Sequence, residues 1–201
     1  MRRGATIGVV AVFGAPCASA RAHLVSTELG PFYDGVAHTL VTPTDLLAIA
    51  ALAILATMAG RRAPAWMLVA LAIGWAAAAS AAFGAERVHL ESALLAPALL
   101  LGLGLAGAAG ARLPATGAAV AGAVVGTSLG LVSGTAARVE DGAWLTVAGI
   151  CTGVFGAAAL LLGACAWLER REWIVVMRIA ASWIAAVGLL LLGWQMRSVA
   201  G

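Results

Sequence analysis

Six stretches of this sequence, near residues 43–59, 65–83, 93–111, 115–134, 143–168 and 173–196, consist almost wholly of small and aliphatic residues. Nothing else restricts the chain so much. A helix needs ~20 apolar residues to cross the hydrocarbon core of a bilayer, and each stretch is long enough to span with some tilt. Lipid offers no partner to a backbone N–H or C=O, so a spanning segment must pair its own polar groups, as a helix or within a closed barrel. Strict apolar–polar alternation, the mark of a barrel strand, is missing. The expected fold class is all-α: a polytopic membrane helix bundle of about six transmembrane helices. Short loops predict that consecutive helices pack antiparallel.

Charge agrees with this. Only 10% of residues are charged and the mean hydropathy is +1.02, whereas soluble domains are ~25% charged. There is too little polar surface to coat a water-soluble globule. Lysine is absent, and Arg2, Arg3 and Arg21 lie in the first 22 residues, leaving nine arginines against nine acids beyond them. The pI of 9.2 therefore reflects the N-terminus. With no basic stripe and no interleaved aromatic platform, nucleic-acid binding is not expected.

Residues 1–22 read as a secretory signal peptide, with Arg2-Arg3 as its positive region, Ala5 to Phe13 as its apolar core and Ala20-Arg21-Ala22 as its small-x-small junction. Residues 23–201 are then a single transmembrane helical domain. Cleavage after Ala22 makes His23 the mature N-terminus; cleavage after Ala20 does not. The mature N-terminus is expected on the periplasmic side of a bacterial inner membrane. Counting spans from there puts Arg61, Arg62, Arg112, Arg170 and Arg171 inside, against Arg87, Arg138 and Arg197 outside. That matches the positive-inside rule. Trp66, Trp144, Trp167, Trp173 and Trp194 fall near span ends, where interfacial aromatic belts form.

Gly122, Gly126, Gly130 and Gly134 are spaced by four on the fourth stretch, and Gly149 and Gly153 repeat the spacing on the fifth. Small residues let membrane helices approach closely. Such a face serves packing inside one bundle, or it joins a second copy or another membrane-complex subunit. Cys151 and Cys165 share an apolar run without CxxC spacing and read as small hydrophobes. Cys17 lies in the signal segment.

Ionisable groups inside spans are costly and therefore point to function. Asp45 sits just inside the first span. Thr42-Pro43-Thr44-Asp45 also reads as a helix start, with Thr42 as the N-cap and Asp45 suited to the positive end of the dipole. Capping and binding of a metal or proton are both open to Asp45. His38 precedes it by seven, which on an unbroken helix is two turns, ~10 Å. Pro43 disfavours helix at Thr42, and a break there would bring the two closer. His38 has a structural reading too, as a hydrogen-bonded histidine.

His23, as a free N-terminus, would offer an amine and an imidazole to one metal ion, and otherwise lies in a loose terminus. His89, between Glu86 and Glu91, binds metal, titrates near neutral pH or sits in a solvated loop with local ion pairs. Glu140 lies beside Arg138 and Asp141 in another outer loop. On the expected topology all these groups face outside, so a polar cluster at the outer mouth is geometrically open. Arg178 lies near the inner face and can snorkel. Nucleophile–base pairs, phosphate loops and dinucleotide fingerprints are absent, so the chain does not read as an enzyme.

Taken together, these residues resemble the HupE/UreJ family, membrane proteins of hydrogenase and urease maturation regarded as nickel or cobalt permeases. The signal segment ends in the family's Ala-His junction, here Ala22-His23. The family's first-span motif runs His, five residues, Asp-His. Here His38 matches, and Thr44-Asp45 stand at the last two places. The second motif, Phe-His-Gly-x-Ala-His-Gly-x-Glu, falls on Val132 to Glu140. Gly134, Ala136 and Glu140 match, while Ser133, Ala137 and Arg138 depart. The last span opens at Arg178 and continues in small residues and leucine.

The resemblance implies a divalent transition metal (Ni, Co, Cu or Zn) as cargo, held by His38, Asp45 and Glu140 with His23 or His89 assisting. The ion would pass along a seam lined by the glycine-rich helix. The competing reading is a non-transporting accessory or scaffold subunit that has lost the family's ligands.

Overall fold

Prolines and glycines set the ends of the helices. Pro31, Pro43 and Pro64 stand in the first turns of three helices and Pro114 just before a fourth, where a missing N–H breaks no intrahelical bond. Gly60, past the end of the helix that Pro43 opens, and Gly110, past the end of another, take φ of 109° and 74°, in the left-handed region that glycine enters without steric cost.

The computed structural model describes residues 27–82, 92–138 and 142–200. Among the described residues the chain forms seven helices and no strand: α1 (Pro31–Val41), α2 (Pro43–Met58), α3 (Ala63–Ala81), α4 (Ser92–Ala109), α5 (Ala115–Ala137), α6 (Ala143–Arg170) and α7 (Ile174–Ala200). The six expected stretches return as α2 to α7 with ends moved by a few residues. Four helices, α3, α5, α6 and α7, are long and apolar enough to cross a membrane. The pair α1 and α2 passes the same test together, bent by 68° at its break, and α4 contributes a shorter apolar segment, Leu94–Ala109.

The helix α1 lies outside the six expected stretches, in a segment that mixes polar and aromatic residues. The helix forms because Pro31 presets its first turn and because Gly35 and Thr39, four apart, both face a neighbouring helix and are buried.

Three tight helix pairs build the bundle, and none joins neighbours in sequence. The first is α3 with α5, which run parallel in a constant register. A Cβ at Gly122 would lie 2.6 Å from the Met67 carbonyl, one at Gly130 2.7 Å from that of Trp75, and one at Gly134 2.5 Å from that of Ala79; Gly126 meets Leu71 in the same way. The second is α4 with α7, antiparallel, where Gly104 meets Ala185 and Gly188 meets Leu101. The third is α1 with α6, where Gly35 lies against the Thr146 carbonyl and Gly149 against that of Phe32.

Consecutive helices touch more lightly than these pairs do. Small residues, not loop length, decide which backbones meet. They also locate the glycine face of α5. It is covered by α3 of the same chain, so it is neither an open face for a second copy nor the wall of an open seam.

The helix α2 packs against each of the other six. Its residues from Ala51 to Thr57 are all buried, as befits a helix apolar all round. Trp66, Trp144, Trp167, Trp173 and Trp194 are exposed near helix ends, as the belt reading predicts. Arg178 does not simply snorkel: its Nε donates to the Ala108 carbonyl at 2.9 Å, placing a cation at the negative end of α4.

Replacing Gly130 with leucine should drive a side chain into the α3 backbone and cost about 1–3 kcal/mol or more, read as a lower unfolding midpoint in detergent. Gly193→Leu, where a Cβ meets nothing within 4 Å, should stay within about 0.5 kcal/mol of the parent. Equal midpoints for the two variants would deny the α3–α5 contact.

Candidate functional site

Pro43 shapes the site. Its ring disfavours helical backbone at the preceding residue, and Thr42 takes φ −94° and ψ 95°. The chain therefore turns by 68° between α1 and α2. His38 lies in the last turn of α1 and Asp45 in the first turn of α2, on opposite sides of the corner.

Local hydrogen bonds hold it. Thr42 is the N-cap of α2, as expected, but its side chain caps nothing there. Instead the Thr42 hydroxyl donates to the His38 carbonyl at 2.7 Å, pairing one of the open carbonyls at the end of α1. The Asp45 N–H donates to the Thr42 carbonyl at 3.2 Å. Farther along α1, the Thr39 hydroxyl donates to the Ile150 carbonyl of α6 at 3.3 Å. Asp34 Oδ1 accepts from the Thr27 backbone N–H and hydroxyl at 2.5 and 2.6 Å. The helix α1 is thus tied at both ends.

His38 and Asp45 line one cavity of about 180 Å³, walled also by Thr42, Thr44, Leu95, Leu129 and Ser133. It lies where α1, α2, α4 and α5 meet, and has room for an ion and some water. Asp45 is 6% exposed and His38 half-buried. Among the described residues neither side chain has a hydrogen-bond or ion-pair partner. A buried carboxylate without a partner is costly, so the cavity favours something that meets it.

The hydroxyls fit the same demand. Thr42 donates to His38, and Ser133 donates to the Leu129 carbonyl at 3.0 Å. Their protons are occupied, so towards the cavity these oxygens offer lone pairs. A carboxylate, an imidazole and acceptor oxygens suit a cation better than an anion.

The corner therefore brings together His38 and Asp45, two of the residues singled out from the sequence. His23, His89 and Glu140 lie outside the described residues. Among the described residues no group of three or more His, Cys, Asp or Glu is placed to hold a metal ion. Cys151 and Cys165 are free thiols and do not line the cavity. Sequence reasoning left Ser133, Thr42 and Thr44 out of the site. Ser133 was legible only as the place of a missing histidine in the second motif. Its presence in the wall shows that the two motif positions, far apart in sequence, meet in one cavity. Gly134 of the same motif has a packing role, pressed on Ala79.

The family model described as HupE / UreJ protein matches residues 10–191 of the chain. Compared with curated proteins and with solved structures, the chain matches none.

Position 133 gives a direct test of the geometry. Ser133→His adds an imidazole to a wall that already holds His38 and Asp45. It should tighten binding of Ni or Zn by about tenfold or more, since imidazoles suit these ions. Calorimetry on the purified variant reads this, and unchanged affinity would mean that position 133 does not reach the ion.

Proposed function

The chain belongs to the HupE / UreJ family, and from that premise we propose that it is a membrane permease for a divalent transition metal cation of the nickel or cobalt type. The observation that carries this is the shared cavity: His38 on α1 and Asp45 on α2 face one space across a proline-enforced corner. The metal is cargo. Neutral imidazole nitrogen and carboxylate oxygen are the ligands this chain supplies, with hydroxyl oxygens of Thr42, Thr44 and Ser133 nearby. Two strong ligands leave other coordination positions to water, which suits an ion that must also leave.

The same reading includes the arrangement in the membrane. The bent α1–α2 pair and α4 join the four long helices to give six spans after a cleaved signal peptide. The mature N-terminus and the His38–Asp45 cavity face the periplasm of a bacterial inner membrane. His23, His89 and Glu140 belong to that side and are available to hand an ion to the cavity.

A second reading has its own support. Only two groups of strong ligand type meet at the cavity, and no third joins them among the described residues. That favours an accessory or scaffold subunit in which the family's site has decayed.

One titration separates the two. Calorimetry with Ni, Co, Cu and Zn on the purified protein should give micromolar binding, and His38→Ala and Asp45→Ala should each weaken it by about tenfold or more. No binding by the parent protein, with its N-terminus sequenced and His23 present, would sink the permease reading and leave the accessory subunit.

A further inference from the structure

A second polar cavity lies at the opposite end of α2, independent of the first. Its volume is about 630 Å³. It opens where α2 turns into α3 and the last turns of α6 pass by. Arg61 and Arg170 line it, with Thr57, Glu169, Leu162 and Gly163. Among the described residues neither Arg61 nor Arg170 has a hydrogen-bond or ion-pair partner, although Glu169 shares the cavity. Glu169 also lines an adjoining cavity of about 340 Å³ together with Arg112, so the two cavities hold three arginines and one carboxylate between them. The local excess is positive.

We propose that this cavity binds the phosphate headgroup of an anionic phospholipid, with Arg61 and Arg170 on the phosphate and an acyl chain along α6. Guanidinium groups form two-pronged hydrogen bonds to phosphate oxygens, and basic pockets between membrane helices hold such headgroups.

Three further observations choose a lipid over a small soluble anion. The cavity is apolar along α6, at Leu162 and Gly163. A Cβ at Gly163 or Gly156 would meet nothing within 4 Å; the two are seven apart, hence on one face, and with the exposed Leu160 between them they make an open apolar face that continues along the helix from the cavity. The depth is also right. At the α6–α7 corner Trp167 and Trp173 stack edge to face at 5.8 Å, and Arg171 lies 5.4 Å from the Trp167 ring centre. Tryptophans of this kind sit at headgroup level. Glu169 and Arg170 lie between them in sequence.

The test uses the full chain in detergent and native mass spectrometry with phosphatidylglycerol and phosphatidylcholine. Phosphatidylglycerol should be retained preferentially. The double variant Arg61→Gln/Arg170→Gln should weaken that retention by roughly tenfold or more. The control double variant Arg62→Gln/Arg171→Gln, which removes the same charge at the same end without touching the cavity lining, should retain it. Equal retention of both lipids would overturn the proposal, and so would equal loss in both double variants, which would mean diffuse attraction. If inorganic phosphate binds the parent chain and phosphatidylglycerol does not displace it, the cavity takes a free phosphate and the lipid assignment fails. Should the cavity variant not fold, the two-lipid comparison and the phosphate arm on the parent chain remain decisive.

Discussion

Close approach of helix backbones is the constraint on which this structure rests. Apolar side chains gain little by leaving lipid for a helix surface, so membrane helices associate through packing where small residues admit a neighbour. The glycines of α5 do this in a regular way. Each step of four residues along α5 matches one along α3, from Gly122 on Met67 to Gly134 on Ala79. The paired positions rise together along both helices, so the two run the same way. The pair must therefore be separated in sequence by a helix that returns, and α4 is that helix. Small residues likewise bring α1 onto α6 and, running antiparallel, α4 onto α7. The topology follows from where the chain has no side chain.

The three pairs leave α2 enclosed among them, and that enclosure makes Asp45 informative. At the surface of a bundle a carboxylate in a first helical turn would be a helix-end charge and little more. Here it lies at the top of the most buried helix, facing a cavity with His38 and with hydroxyls whose protons are engaged elsewhere. The helix-start reading and the binding reading coexist: the first-turn position favours the negative charge, and the cavity leaves the carboxylate oxygens available.

Most of the helical architecture was legible in the sequence because length and hydropathy are local properties. The six stretches returned as helices for that reason. Which helices pair was not legible from loop lengths, since pairing depends on small residues matched across long separations. The glycines of α5 were visible, but their partner was not: α3 contributes backbone, and the backbone atoms of Met67, Leu71, Trp75 and Ala79 carry no signature. The helix α1 was missed because Asp34 and His38 masked its short buried edge at Gly35 and Thr39. At the site, Pro43 announced the break, and with it the chance that His38 and Asp45 meet. Ser133 could not be found by residue type. Only its alignment with a motif position pointed to it, and the fold shows why, since α5 carries it into the wall opposite the α1–α2 corner.

The two ends of α2 differ in chemistry, and the stem between them is closed. Asp45 and Thr57 are twelve residues apart, ~18 Å along a helix, and the stem from Ala51 to Ala56 is apolar and buried. An ion resting at the His38–Asp45 cavity would find no ligand along that stem, and the glycine face of α5 gives no detour because α3 fills it. Binding at the cavity and passage through the bundle are therefore separate properties of this fold. In the permease reading, binding would use the corner at Pro43, and passage would require the helix pairs, with their interlocked backbones, to shift against α2.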